Sequence, residues 1–275
     1  MYKAGQQEVI ILKRLAAADP KDVWHCVRIL STFKHRNHLC IVLESLHMNL
    51  RQVLNSFGRD IGLNLTAVRT YAAQLFISLK HLKECGVLHC DIKPDNVMVN
   101  KAKNDLKLCD FGNSMFAGKN EITPCLVSRF YRAPEVILGL PYDHPMDIWS
   151  VGCTLYELYS GKVLFPGGSN NDMLRLHIEL KGPFSKKMLR KGAFASQHFD
   201  QAQNFNAKRE FVNIKRKPIS TRVTGSNNED RKMLADFKDL LERILVLDPD
   251  KRMTLAQALA HPFILGQTKR HRIFL

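Results

Sequence analysis

Thirteen consecutive residues, VLHCDIKPDNVMV from Val87 to Val99, set His89, Asp91, Lys93, Asp95 and Asn96 between two short apolar runs. A plain surface loop is polar without such brackets. Apolar pairs on both sides, Val87-Leu88 and Val97-Met98, describe a loop clamped between core strands, so that its polar side chains converge. The short run Leu106-Lys107-Leu108-Cys109 adds a further strand beside it. A chain built this way must supply a packed frame around one polar loop.

The hydrophobic spacing provides that frame. Lys3 to Ala18 reads as a helix with Val9, Leu12 and Leu15 or Ala16 on one face, ended by Asp19-Pro20 because proline cannot continue the hydrogen-bond ladder. Val27 to Phe33 and Leu39 to Leu43 read as strands joined by the turn His35-Arg36-Asn37. Val68, Ala72, Leu75, Leu79 and Leu82 predict a long helix over Thr66 to Glu84, buried along one face. Trp149, Val151, Leu155 and Leu158 predict another helix, central to the core. Thr254-Leu255-Ala256-Gln257 fits a capping box. The expected class is α+β, with helices dominating after residue 48.

A chain of 275 residues with 45% hydrophobic side chains can bury a sizeable core as one large domain or two lobes. No apolar run approaches the length of a membrane-spanning helix, and the first twenty residues are charged and helical rather than signal-like. Cys26, Cys40, Cys85, Cys90, Cys109, Cys125 and Cys153 are odd in number and never spaced C-x-x-C. That pattern opposes a disulfide framework and a zinc site and favours a reducing compartment. The net charge is +15, and between Lys181 and Val223 eleven basic residues stand against two acidic ones. Such a segment suits nucleic acid or acidic partners, or is a solvated loop; no aromatic-rich RNA-binding motif accompanies it.

Chemistry enters with order and spacing. Asp91, Lys93 and Asn96 are followed by Asp110-Phe111-Gly112, and then by Ala133-Pro134-Glu135. At about 5% usage per residue type, the five specified positions of the first motif alone arise by chance at roughly one in a million per start site. Two more motifs in the right order remove coincidence. Together they resemble the protein-kinase signature set of catalytic loop, D-F-G and A-P-E, over nearly the whole chain from Glu8 to Phe263. The resemblance implies a two-lobe kinase fold and ATP with Mg2+ as cofactors. Asp91 would orient the proton of the attacking hydroxyl, Lys93 would set positive charge against the transferring phosphate, and Asn96 and Asp110 would be metal ligands. Gly112 gives the turn after Asp110 its backbone freedom. Leu43, Glu44 to Leu46 and Met98 would surround adenine, Leu43 at the back and Met98 beneath the ring. His89 is expected to be structural. Asp147 resembles the aspartate that holds the catalytic loop's backbone, and Glu135 with Arg252 resembles a kinase ion pair.

Lys93 is the serine/threonine form of the loop, and LVSRFYRAPE (Leu126 to Glu135) resembles the CMGC group. Within it, HLCIVLESLHMNLRQVL, DIKPDNVMVN, LKLCDFGNS and WSVGCTLYELYSGKVLFPG are most similar to the pre-mRNA-processing kinase family of the spliceosome. That resemblance implies a nuclear enzyme whose protein substrates are splicing factors, with possible association with spliceosomal ribonucleoprotein and none with membrane. Residues 1–47 are expected to be a remnant of the small lobe and 48–275 the large lobe, with the group's basic insert at about 181–233.

Departures from the pattern shape two further expectations. Glu8 matches the glutamate that pairs with the strand lysine and so belongs with the nucleotide site, yet no G-x-G-x-x-G occurs anywhere and Lys3 lies on Glu8's own helix. Losing one such charge-stabilising donor typically costs about 10²–10³ in rate. The chain is therefore expected to be an incomplete kinase, feeble by itself, with an uncovered apolar sheet face. A pseudokinase-like scaffold and a basic RNA-binding module are the alternatives; intact Asp91, Lys93, Asn96 and Asp110 favour the enzyme. Cys90 replaces the arginine before the catalytic aspartate, and Cys125 replaces the family's loop tyrosine. Activity is expected not to depend on phosphorylation at 125, while Thr123, Ser128 and Tyr131 remain.

Overall fold

The first helix, α1 (Tyr2–Ala18), turns Leu12 and Leu15 inward as its spacing predicts, with Ile11 beside them in place of the expected Val9, which is half-buried. Lys3 and Glu8 share this helix. After it, the Asp19 carboxylate accepts from the Val23 and Trp24 amides at 3.0 and 3.1 Å, closing the chain into a turn. These positions come from a computed structural model that describes residues 2–118, 121–200, 204, 206–207, 210–211, 214–225 and 230–266.

Strands β1 (Ile29–His35) and β2 (His38–Leu43) pair antiparallel. Their turn residues Arg36 and Asn37 have φ of 44° and 63°, the left-handed pair that a two-residue hairpin needs to match strand twist. Leu30 and Phe33 of β1 stand 60% and 52% exposed, so this sheet shows an apolar face to solvent, as expected. Strand β1 begins two residues later than its predicted start at Val27. Val27 instead donates to the Leu108 carbonyl at 2.9 Å.

Three short strands form the sheet under the polar loop. Strand β3 (Met48–Asn49) leads directly into α2 (Leu50–Phe57), whose start is fixed by reciprocal Asn49 and Gln52 capping. Helix α3 (Leu65–Glu84) follows and buries the predicted Val68, Ala72, Leu75, Leu79 and Leu82. Then come β4 (Val87–Leu88), β5 (Val97–Val99), β6 (Leu106–Leu108) and β7 (Met115–Phe116). The sheet order is β3-β5-β6, and β4 pairs with β7. The 89–96 loop therefore leaves β4 and enters β5, while the 109–114 bend leaves β6 and enters β7. Two pairings bring the two bends together.

Helix α4 (Pro134–Leu138) precedes α5 (Pro145–Ser160), in which every residue from Met146 to Leu158 is buried. A helix apolar all round belongs inside a fold. Trp149 stacks on Phe165 with ring centroids 5.7 Å apart. Gly152 is required by a close approach, since a Cβ there would meet Ile244. Helices α6 (Asn170–Lys181), α7 (Lys186–Lys191), the hairpin of β8 (Asn206–Ala207) and β9 (Glu210–Phe211), α8 (Ile219–Arg222) and α9 (Arg231–Ile244) complete the helical part. Helices α10 (Leu255–Leu259), with its predicted Thr254–Gln257 capping box, and α11 (Pro262–Leu265) end it. The result is the expected α+β class, helices packed with small antiparallel sheets. Of the basic stretch at 181–233, residues 201–203, 205, 208–209, 212–213 and 226–229 lie outside the described residues; its last three residues already belong to α9. Among the described residues no helix is long and apolar enough to cross a membrane.

Candidate active site

One buried carboxylate on α5 sets the shape of the 89–96 loop. Asp147 accepts from the His89 amide at 2.8 Å and the Cys90 amide at 3.1 Å. Burial pushes its carboxyl up, against the opposing pull of His89. Cys90 is held at φ 67°, a conformation costly for a side chain with a Cβ and sustained by its surroundings. The His89 imidazole spends both nitrogens. Its Nδ1 accepts from the Asp91 amide at 3.2 Å, so Nε2 carries the hydrogen and donates to the Cys109 carbonyl at 3.0 Å. Burial lowers its pKa and keeps the ring neutral. Its edge meets Phe111 at 4.9 Å. His89 thus joins the two bends structurally, as expected.

Asp91 is 5% exposed and surrounded by donors. Its Oδ2 accepts from Lys93 Nζ at 2.8 Å and Asn96 Nδ2 at 3.1 Å, and Oδ1 from the Ser128 amide at 3.2 Å. Asn96 Nδ2 also donates to the Asp91 carbonyl at 2.9 Å, and Lys93 Nζ to Ser128 Oγ at 2.8 Å. Burial alone would raise the carboxyl, but hydrogen bonds from Lys93 and Ser128 outweigh it and hold the pKa below the usual carboxylate value. Asp91 is an ionised acceptor with an open lone-pair direction. Ser128 was visible in the sequence only as a modifiable hydroxyl; its amide and hydroxyl complete this cluster.

The second bend joins through the backbone, where the Cys109 amide donates to the Asn96 carbonyl at 2.8 Å. Asp110 is solvent-exposed, at φ 62°, and accepts from the Gly112 amide at 3.3 Å. Glu8 reaches the same place from α1: a Cβ on Gly112 would lie 3.2 Å from Asp110 Oδ1 and 3.7 Å from Glu8 Oε2. The Glu8 carboxyl is raised, first by burial and then by the charge of Asp110. Two carboxylates repelling each other across a glycine are relieved by a cation. Asn96 spends its Nδ2 on Asp91, which leaves its side-chain carbonyl oxygen, like the Asp110 carboxylate, a hard donor of the type a divalent ion takes.

The predicted adenine contacts occupy the connection from β2 to β3. Leu43 and Leu46 are half-buried against the core, and Met98 on β5 projects opposite the buried Val97 and Val99. Glu44 is anchored at both ends. Its amide donates to the Arg28 carbonyl at 3.0 Å, while Oε1 accepts from the Arg28 amide at 2.8 Å and Lys107 Nζ at 2.7 Å. Lys107 also holds both oxygens of Asp22 at 2.7 Å. Local spacing gives no sign of a lysine reaching residues 63 and 85 positions away.

Arg132 braces the segment above. Its guanidinium donates to the carbonyls of Leu126 and Val127 at 2.8 Å and of Cys125 at 3.2 Å, and to Asn170 Oδ1. Val127 is at φ 69°, an outlier for a β-branched residue. Cys125 is exposed. Glu135 and Arg252 form the expected pair, bidentate at 2.7 and 2.8 Å, with exposures of 1% and 0%. Next to Lys93 and Asn96 opens a cavity of about 550 Å³, also lined by Arg51, Ser128 and Tyr131.

Residues 2–264 match the protein kinase domain family. The chain is 49% identical over 96% of its length to serine/threonine-protein kinase prp4 of Schizosaccharomyces pombe, covering 59% of that protein. It is 46% identical over 96% of its length to serine/threonine-protein kinase prpf4B of Dictyostelium discoideum, covering 35% of it. The DYRK-family kinase pom1 of S. pombe is 36% identical over 94% of the chain, which covers 24% of that relative.

Proposed function

The chain belongs to the protein kinase family, and from that premise we propose that it transfers the terminal phosphoryl group of ATP to serine or threonine hydroxyls of protein substrates. The single observation that supports this most is the ionised Asp91 held by Lys93, Asn96 and Ser128 beside an open groove. Asp91 accepts a hydrogen bond from the acceptor hydroxyl and takes its proton as the bond to phosphorus forms. Lys93 lies between that hydroxyl and the incoming phosphate and neutralises developing charge. Asn96 and Asp110 would hold Mg2+, whose charge would neutralise the nucleotide's phosphates. The backbone of Glu44 to Leu46 bonds adenine, between Leu43 and Met98, and Glu8 carries the charge that positions a phosphate-binding cation. A scaffold would need none of these polar groups.

Splicing factors are the substrates we assign, and the nucleus the location; the similarity to prp4 and prpf4B supports both. The 275 residues contain no G-x-G-x-x-G, so the isolated chain has a turnover below about 0.1 per second against about 1–100 for kinases at large. Radiolabelled ATP, magnesium and recombinant splicing factors test the whole reading. Transfer to serine or threonine that disappears with D91N is the expected result. Absence of any transfer overturns it, and turnover within the usual kinase range by these 275 residues overturns the rate.

A further inference from the structure

The groove beside Asp91 contains an arginine of the protein's own. Arg51 is the second residue of α2, near the partially positive end of a helix, where a cation gains nothing from the backbone. Its position is set by acids from elsewhere in the chain. The guanidinium donates to Glu157 Oε1, to Asp95 Oδ2 at 3.3 Å and to the Tyr131 hydroxyl oxygen at 2.8 Å. The Tyr131 hydroxyl in turn donates to Glu157 Oε2 at 2.6 Å. Glu157 is 1% exposed and lies on the buried α5, so it is a rigid anionic floor. Arg51 itself is 30% exposed and faces the cavity shared with Lys93 and Asn96.

Resting on the kinase reading above, we propose that Arg51 is a specificity-determining residue: it fills, from within, a cation position that the groove would otherwise offer to an arginine of the substrate. Both oxygens of Glu157 are then satisfied without the substrate. Asp95 is engaged by the same guanidinium, and a basic side chain flanking the acceptor hydroxyl meets Arg51's charge instead of a free carboxylate. Substrates without arginine at that position are therefore accepted. Removing Arg51 exposes the Glu157–Asp95 pair to the groove and creates a demand for a guanidinium from outside, because a buried carboxylate left unpaired is costly. A charge-assisted hydrogen-bonded pair of this kind corresponds to about ten- to a hundredfold in affinity.

The test presents a positional-scanning serine/threonine peptide library, with ATP and magnesium, to the protein as wild type, R51A and R51A/E157Q. Total incorporation by the wild type tests the kinase reading; the arginine-to-alanine ratio at each flanking position tests Arg51. R51A gains about a tenfold arginine preference at one position where the wild type has none, and R51A/E157Q loses that gain. Fluorescence anisotropy of the matched arginine and alanine peptides repeats the comparison without phosphate transfer. R51M, which keeps the packing volume but offers Glu157 no donor, stands in if R51A does not fold. A folded R51A or R51M with equal affinity for both peptides overturns the inference, as does a wild type that already selects arginine at that position.

Discussion

Arg252→Met separates two ways of breaking one buried pair. The Glu135 carboxylate receives two hydrogen bonds, both from Arg252. The guanidinium has further partners: the Pro145 carbonyl at 2.8 Å, Val246 at 3.0 Å and Leu247 at 3.4 Å, with the Trp149 ring 5.1 Å away. R252M therefore strands a charge that has lost both side-chain donors, at about 3–5 kcal/mol. E135Q leaves a cation still held by three carbonyls and an amide oxygen, at about 1–2 kcal/mol. The double variant removes both charges and is expected to be about 2 kcal/mol more stable than R252M. At about 2–4 °C per kcal/mol for a chain of this size, R252M unfolds roughly 6–20 °C below the wild type. Urea titration followed by Trp149 fluorescence, beside the lost guanidinium, reads all four proteins. Equal costs for E135Q and R252M, or single costs that simply add in the double variant, would refute the reasoning, since additivity means no coupling.

D91N is expected to lower phosphate transfer by about 10²–10⁴ in protein shown to be folded; a loss under tenfold would remove Asp91 from the proton path. Because the folded Asp91 pKa lies below its ordinary value of 3.8, its contribution to stability is complete above that value and is lost as pH falls through the folded pKa. No acid limb of the rate above pH about 5 should belong to it. Lys107→Met should raise the KM for ATP about tenfold with a smaller change in kcat, since Glu44 loses a tether; an unchanged KM in steady-state assays would exclude that role. His177 is buried between Trp149 and Phe165 with neither ring nitrogen hydrogen-bonded among the described residues, and its pKa is lowered to about 3. Its neutral form contributes stability that is full above 6.5 and lost as pH falls towards 3. H177L should accordingly be less acid-sensitive in that window by denaturant titration, and an unchanged slope would count against it.

What could be read from the chain alone was local. The stripe of α3 follows spacing, and the 89–96 loop declares itself by polar residues at fixed offsets between apolar pairs. Thr254 and Gln257 are near neighbours, so their capping box is legible; the same box at Asn49 and Gln52 is as local but is hidden because β3 runs into α2 with no turn between them. The rest depended on distance along the chain. Arg51 meets Glu157 across 106 residues, and Lys93 meets Ser128 across 35. Arg132 folding back on Val127 has no signal either, because valine is among the last residues expected in a left-handed turn.

One imidazole tying the Asp91 amide to the Cys109 carbonyl has a pharmacological consequence. A nucleotide competitor that needs the Asp110–Gly112 bend to swing outward must first give up the His89–Cys109 hydrogen bond and the edge contact with Phe111. Together these are worth about 1–3 kcal/mol, up to a hundredfold in occupancy. Compounds that leave the bend in place start with that advantage against this protein, whatever their fit at Glu44 to Leu46.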